Sequence, residues 1–173
     1  VMLPPKYEKV IEHDNGPREN QTLEALTKLK PFFDRHFGSV TAGNSSQVTD
    51  GAAALLIMTE KKAKKMGLKP LGFLTEYAFA GVEPHRMGIG PAHAIPRVLK
   101  KAKIQLKKIQ AIEINEAFAA QVLACVKALA SDQFASEFGY QGYTGAIDPS
   151  ILNVNGGSVA LGHPVGATGT RLI

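Results

Sequence analysis

Cysteine and tryptophan are scarce in this sequence, which has one cysteine and no tryptophan among its 173 residues. A single cysteine forms no intrachain disulfide and fits a reducing compartment. No apolar run reaches the roughly 20 residues that cross a bilayer, and no signal-peptide pattern opens the chain. We therefore expect a soluble, intracellular protein without a membrane span, located in the cytoplasm, with an organelle left open.

The excess of positive charge is small, since the formal net charge is +5. The lysines and arginines are scattered or lie on helical faces, and they form no basic stripe interleaved with aromatic residues. Nucleic acid is therefore not an expected partner. Hydrophobic residues make up 45% and charged residues 20% of the chain, which favours a globular core over disorder.

Short apolar segments alternate with helical patterns along the chain. Strands are predicted at residues 39–42, 52–58, 73–80 and 111–114, and helices at 22–30, 60–65, 92–102 and 116–129. By pattern alone, the run 52–58 fits a buried strand or a buried helix equally well. Residues 131–148 predict an exposed excursion. The alternation predicts a mostly parallel α/β arrangement.

The two ends of the chain predict that it is an internal piece of a longer protein. It begins at Val1 and stops at Ile173, inside a helix that is predicted to start at Pro164, with no capping residue or tail after it. Any function inferred from the residues would then belong to the longer protein.

A glycine-rich run carries the first chemical signal. Its centre is Gly162-His163-Pro164-Val165-Gly166-Ala167-Thr168-Gly169. Glycines let the backbone turn sharply and approach a ligand closely, and histidine titrates near neutral pH. Taken singly, such a histidine is more often a structural hydrogen-bonding residue than a catalyst.

The second signal is Asn115-Glu116-Ala117-Phe118, which directly follows the predicted strand 111–114. Ligands in open α/β sheets bind at the carboxyl ends of strands, which is where Asn115 is expected to lie. Local sequence alone favours an ordinary turn or helix-cap role for this asparagine.

Together with the segment from Thr41 to Ala54, these motifs resemble the thiolase family, whose members make or cleave a carbon–carbon bond in acyl-coenzyme A thioesters. The resemblance covers nearly the whole chain. It implies thiolase-like layers of helices and mixed, mostly parallel sheets, incomplete in this chain, with a buried strand at 52–58. Residues 1–66 would be the end of a loop region and of the N-terminal half, and residues 67–173 a truncated C-terminal half.

The resemblance implies catalytic roles for Asn115 and His163. In thiolases, the asparagine holds a water that, with the histidine, hydrogen-bonds a thioester oxygen as it becomes negative, and the histidine also activates a nucleophilic cysteine. A position just before the predicted helix from Pro164 favours the neutral imidazole. Cys125 lies outside both cysteine motifs of the family, so we expect it to be a small buried residue. Both catalytic cysteines are therefore missing from this chain.

The resemblance also implies coenzyme A contacts. Ser46 and Met87 would lie beside the pantetheine arm, Arg18 near the nucleotide end, and Phe118 in the same binding region. Ala25 stands where many relatives have a serine near the adenine, so that polar contact is not expected here.

The function implied for the longer protein is that of an acyltransferase of the acetyl-CoA acetyltransferase and 3-ketoacyl-CoA thiolase type. Coenzyme A thioesters would be substrates, with no metal or further cofactor, and the full-length protein would be a homo-oligomer. The isolated chain is expected to be inactive. The alternatives are a non-catalytic coenzyme A or acyl-carrier binding module and a related condensing enzyme of fatty-acid or polyketide synthesis, which usually carries histidine where this chain has Asn115.

Overall fold

Helices joined by long irregular segments make up the described part of the chain. The computed structural model describes residues 5–6, 10, 12–14 and 16–173, so parts of the first predicted unit lie outside the described residues. The α-helices are α1 (Leu23–Thr27), α2 (Glu60–Lys65), α3 (Gly90–Ala102), α4 (Ala119–Leu129), α5 (Asp132–Phe138), α6 (Ser158–Leu161) and α7 (Val165–Leu172), and the 3-10 turns are Pro84–Ile89, Leu106–Lys108 and Pro149–Ile151. Within the described residues, every helix is too short or too polar to span a bilayer.

The hydrophobic core lies between α3, α4 and the segment that leads to Asn115. Its buried members are Ala92, Leu99, Leu106, Ile112, Ile114, Val122, Cys125, Leu129 and Ile147. Cys125 is fully buried, as the sequence predicts for a small apolar residue. Because Ile112 and Ile114 belong to this core, Asn115 emerges from a fixed backbone.

Local sequence explains where the helices begin and end. The side chain of Thr59 caps α2 by accepting from the N–H of Lys62, and the predicted helix 60–65 is confirmed. Helix α3 contains the predicted range 92–102 and begins two residues earlier, at Gly90. Helices α1 and α4 are shorter than predicted, and α4 starts only at Ala119, because Phe118 has an extended backbone.

The four strand predictions are wrong as local assignments. No strand ladder forms among the described residues, which show isolated bridges between Ser45 and Phe118 and between Ile112 and Leu152. The run 52–58 is not buried, since Leu56 is 82% exposed. A strand requires hydrogen-bonding neighbours, and the described residues provide no ladder for this run.

Residues 131–148 also differ from the exposed excursion that was predicted. Ser131 caps α5, and Ala135, Tyr140 and Ile147 are buried. Phe134 and Phe138 pack around His93 of α3, with ring centroids 5.0 and 4.6 Å from the imidazole. Aromatic side chains that looked like loop residues therefore cover one side of α3.

Candidate active site

Three segments that are distant in sequence meet at one place. They are the serine loop, which contains Ser46, the segment Asn115 to Phe118, and the glycine-rich run that contains His163. The serine loop lies along the residues that follow Asn115. The N–H of Ser46 donates to the C=O of Ala117 at 2.9 Å, and the N–H of Ala119 donates to the C=O of Asn44, also at 2.9 Å. These two bonds fix the predicted serine loop beside Phe118.

The third segment is the glycine-rich run, and Thr49 joins it to the serine loop. The hydroxyl of Thr49 accepts from the backbone N–H of His163 at 3.2 Å. Gly162 has a φ of 92° and lies against Thr49, so a side chain at Gly162 would be strained and would overlap the threonine. This close approach requires glycine immediately before His163.

Asn115 and His163 are in direct contact. The Nδ2 atom of Asn115 lies 3.3 Å from Nε2 of His163. On its other side, the Oδ1 atom of Asn115 accepts from the hydroxyl of Ser158 at 2.7 Å. The Nδ1 atom of His163 lies 2.7 Å from the hydroxyl oxygen of Thr168 in α7. The structure thus brings together the two residues that the sequence assigned to catalysis.

The backbone before Asn115 is held by Asn153 and Glu116. Asn153 accepts from the N–H of Ile114 at 2.7 Å and donates to its C=O at 3.0 Å. The carboxylate of Glu116 accepts from Asn153 at 2.8 Å and from the N–H of Val159 at 3.2 Å. Through these two hydrogen bonds, Glu116 connects the glycine-rich run to the Asn115 segment.

His163 lies two residues before the start of α7, with Pro164 as the N-cap between them. A neutral histidine beside an amide can accept a proton at one nitrogen and afterwards donate a hydrogen bond from it. This is the chemistry that activates a thiol and then stabilises an oxygen that gains negative charge.

Cys125 takes no part in this arrangement. Its thiol donates to the C=O of Gly88 at 3.3 Å inside the core. Burial raises the pKa of the Cys125 thiol, which disfavours the nucleophilic thiolate. Its location agrees with a structural role.

The other predicted binding residues are spread out. Ser46 and Phe118 flank the Asn115 segment, as described above. Met87 is 74% exposed in the turn Pro84–Ile89, which packs on α4. Arg18 lies in an exposed loop, where its C=O accepts from the N–H of Gln21 at 3.3 Å, and none of its described hydrogen bonds reaches Asn115 or His163.

Two cavities lie away from Asn115 and His163. A cavity of about 710 Å³ lies near Lys103 and one of about 340 Å³ near Arg35, and neither is lined by Asn115 or His163. Asn115 and His163 are both half-buried where the three segments meet. Within the described residues, no group of three or more His, Cys, Asp or Glu side chains could hold a metal ion.

Sequence reasoning missed several supporting residues. Ser158, Thr168, Thr49 and Asn153 contact the pair or the backbone next to it. Small hydroxyl residues inside a glycine-rich run were the available signal for Ser158 and Thr168. Phe33 was missed as well, and its ring packs edge-on against Phe118 with centroids 5.9 Å apart.

Comparison with known proteins gives the family of this chain. The model of the thiolase C-terminal domain matches residues 68–173, and that of the thiolase N-terminal domain matches residues 2–61. The chain belongs to the thiolase family.

Similar proteins agree with this assignment. A 3-ketoacyl-CoA thiolase of Shewanella halifaxensis is 49% identical over 171 residues, which cover 98% of this chain and 39% of that protein. The crystal structure of the Bacillus anthracis acetyl-CoA acetyltransferase superposes with a TM-score of 0.75 at 46% identity, covering 91% of this chain and 36% of the other. The dimeric peroxisomal thiolase of Saccharomyces cerevisiae gives a TM-score of 0.75 at 42% identity, with the same coverages of 91% and 36%.

These superpositions confirm the predicted α/β, thiolase-like fold, although the described part of this chain forms few strand contacts. The chain spans 39% of the length of the Shewanella relative. It therefore contains a part of the thiolase fold that includes the Asn115 and His163 segments.

Proposed function

We propose that the polypeptide containing this chain is an acyltransferase of the thiolase type. In the cleavage direction, a cysteine thiolate attacks the 3-keto carbon of a 3-ketoacyl-CoA, and the bond between C2 and C3 breaks. The electron pair stays on C2, which is protonated to give acetyl-CoA. The thiolate of free coenzyme A then takes the acyl group from the cysteine. The condensation of acetyl-CoA is the same sequence reversed.

The observation that carries this proposal is the contact between Asn115 Nδ2 and His163 Nε2 at 3.3 Å. The amide of Asn115 presents a hydrogen-bond donor, directly or through a water, to an oxygen placed between the three segments, and Nε2 of His163 presents one once it has accepted a proton. Such donors stabilise a thioester oxygen more strongly as its negative charge develops. Nε2 of His163, whose other ring nitrogen is engaged by Thr168, is also suited to deprotonate a thiol.

The nucleophile must come from elsewhere in the polypeptide, because Cys125 is the single cysteine of the chain and is buried. By family resemblance, one cysteine acts as nucleophile and a second moves the proton at C2. The proposed role of this chain is to hold the thioester oxygen and to accept the thiol proton.

Coenzyme A is proposed to pass along the serine loop. Ser46 would lie beside the pantetheine arm, with Phe118 and its neighbour Phe33 forming an apolar wall, while Met87 and Arg18 would contact more distant parts. The names of similar proteins support this ligand class, since they are a 3-ketoacyl-CoA thiolase and an acetyl-CoA acetyltransferase. No metal takes part in the proposed chemistry.

We further propose a homo-oligomer in the cytoplasm for the full-length protein. The similar yeast enzyme is described as dimeric and peroxisomal, so it supports self-association but a different compartment. The division into an N-terminal unit at 1–66 and a C-terminal unit at 67–173 is part of the same proposal.

The test uses the full-length polypeptide with acetoacetyl-CoA and free coenzyme A. His163→Ala and Asn115→Ala are each expected to lower kcat by about 10²-fold or more, the range seen when a donor to a developing oxyanion is removed. Asn155→Ala is the matched control, since Asn155 is exposed in the same run as His163. Wild-type kinetics in the Asn115 and His163 variants would contradict the proposal.

The chain alone offers a second candidate function, that of a coenzyme A binding module. The buried Cys125 favours it, because the 173 residues hold no thiol free to act as a nucleophile. We expect the chain alone to show no thiolysis above a His163→Ala control. Saturable coenzyme A binding measured by calorimetry, together with an inactive full-length polypeptide, would favour the binding module over the acyltransferase.

A further inference from the structure

Ser158 is buried in the glycine-rich run and has no role in the chemistry described so far. Its exposed fraction is 0%, and it opens α6 directly after Gly157. Its hydroxyl is 2.7 Å from Oδ1 of Asn115. A buried hydroxyl needs an acceptor for its proton. The direction of this hydrogen bond therefore affects the orientation of the Asn115 amide.

The hydrogen bonds around His163 form a continuous chain. It runs from Ser158 to Asn115, from Asn115 to His163, and from His163 to Thr168. It ends where the hydroxyl of Thr168 donates to the C=O of Pro164 at 3.1 Å. A carbonyl oxygen only accepts, so this end of the chain has a fixed direction.

That direction determines the position of the imidazole proton. Because the Thr168 proton goes to Pro164, its oxygen accepts from His163, and Nδ1 of His163 therefore carries a hydrogen. In the neutral ring, Nε2 then has a free lone pair. Only the NH₂ group of Asn115 can donate to that lone pair, which leaves Oδ1 of Asn115 facing Ser158 as an acceptor.

The reverse direction leaves a buried group unsatisfied. With the protons reversed, Asn115 would donate to the oxygen of Ser158, and the Ser158 proton would need another acceptor. The described contacts of its hydroxyl contain no acceptor other than Asn115. A buried hydroxyl proton without an acceptor is unfavourable, which favours the forward direction.

We propose that Ser158 is a positioning residue that fixes the amide orientation of Asn115 and, through it, keeps Nε2 of His163 as the unprotonated ring nitrogen, hydrogen-bonded to the Asn115 amide. The proposal rests on the function proposed above. An amide has two orientations of similar shape, and only one of them presents a donor to His163. The hydroxyl of Ser158 selects that orientation by donating to Oδ1. Thr168 selects the matching imidazole tautomer from the other end.

The experiment observes the ring nitrogens of His163 by NMR in the full-length polypeptide, labelled with [¹⁵N]histidine and assigned by the loss of signals in His163→Gln. At a pH where the ring is neutral, we expect a hydrogen on Nδ1 and none on Nε2. A hydrogen on Nε2 in the wild-type protein would overturn the proposal.

Variants then test the part played by Ser158. Ser158→Ala should shift the Nε2 resonance toward that of a nitrogen without a donor, and the shift should vanish when the same substitution is made in an Asn115→Ala background. Should Ser158→Ala fail to fold, Ser158→Cys keeps a weak donor of similar size and should give a smaller shift in the same direction. Ser131→Ala removes a hydroxyl of the same kind that caps α5, and should leave the His163 resonances unchanged.

If Ser158 had only a structural role, Ser158→Ala would shift the Nε2 resonance of His163 equally in the wild-type and Asn115→Ala proteins, and this result would overturn the proposal. An unchanged Nε2 resonance in Ser158→Ala would overturn it as well. The measurement involves no turnover. An inactive full-length protein with the expected tautomer would remove the proposed function and leave the hydrogen-bond direction standing, whereas an active protein with a hydrogen on Nε2 would do the opposite.

Discussion

Asn153 bonds to the backbone of Ile114 as a neighbouring strand would. Its side chain accepts from the N–H of Ile114 at 2.7 Å and donates to the C=O at 3.0 Å. Asn153 has a left-handed φ of 50°, a conformation that asparagine tolerates better than most residues. One amide therefore satisfies both polar groups of the residue before Asn115.

Asn153→Asp should disturb this arrangement with little change in shape. The new carboxylate cannot donate to Ile114, and it would face the carboxylate of Glu116, which now accepts from Asn153 at 2.8 Å. We expect the free energy of unfolding to fall by about 1–3 kcal/mol, the cost of leaving buried polar groups unpaired. Urea unfolding at neutral pH measures the loss.

Asn155→Asp is the matched control, because Asn155 is exposed two positions further on. It should change the unfolding midpoint by much less. Equal effects of the two substitutions would show that added negative charge, and not the lost Ile114 contacts, causes the destabilisation.

Gly157 gives a second prediction, since its Cα faces the carboxylate of Glu116 with no space for a methyl group. Gly157→Ala should push Glu116 away from Asn153 and from the N–H of Val159. Overpacking of this kind costs about 1–3 kcal/mol, and it should also separate Asn115 from the glycine-rich run. Thermal unfolding gives the first effect, and loss of thioester turnover in the full-length protein gives the second.

The same substitution in α7 separates steric conflict from the general effect of alanine. An added Cβ at Gly166 meets no atom within 4 Å. Gly166→Ala should be neutral or stabilise the helix by up to about 1 kcal/mol. Destabilisation by both variants to the same extent would contradict the proposed conflict with Glu116.

The pairing of Asn115 with His163 could be predicted because both residues lie in short motifs that resemble those of thiolases. The structure places the two side chains in contact, and their catalytic roles stay a prediction. The residues that hold them were harder to predict. Asn153 acts through a left-handed backbone and a side chain that replaces a strand, and neither feature has a periodic pattern in sequence.

The strand predictions failed for a different physical reason. Apolar content indicates that residues 52–58 can be buried, but pairing depends on neighbours that local sequence does not supply. Residues 73–80 likewise form no strand, although their sequence is mainly apolar and aromatic. They are held by side chains of α3, through Arg97 to the C=O of Phe79 at 3.1 Å and an ion pair of 2.7 Å between Lys101 and Glu76. Helix α2, by contrast, is specified by its own cap and could be predicted to the residue.

Cys125 provides a test of the core. Burial raises the pKa of its thiol, and the residue is fully buried, so a thiol reagent should react with it only when the core opens. We expect the chain's single cysteine to be protected from DTNB in native buffer and fully labelled in urea. Fast labelling in native buffer at a rate close to that in urea would contradict the packing described for α3 and α4.

His93 is a second buried group whose ionisation should affect stability. It is 6% exposed, and its Nδ1 atom lies 3.2 Å from the hydroxyl of Tyr140. Burial lowers the pKa of His93, and the positive charges of Arg97 and Arg86 lower it further, while Glu83 and Glu137 act in the opposite direction. Arg97 also donates to the oxygen of Tyr140 at 3.3 Å, and Nδ1 of His93 can accept the tyrosine proton only when it carries no proton of its own.

Stability should therefore decrease on acidification. The ordinary pKa of histidine is 6.5. Below that pH the unfolded chain binds a proton that the folded chain resists, so the free energy of unfolding falls as the pH drops from 6.5 toward the lower folded pKa. His93→Gln, which can still accept from Tyr140, should reduce this slope in urea unfolding between about pH 7 and pH 5. His85→Gln, at an exposed histidine, should leave the slope unchanged. If the slope persists in His93→Gln, another group is responsible for the acid sensitivity of the fold.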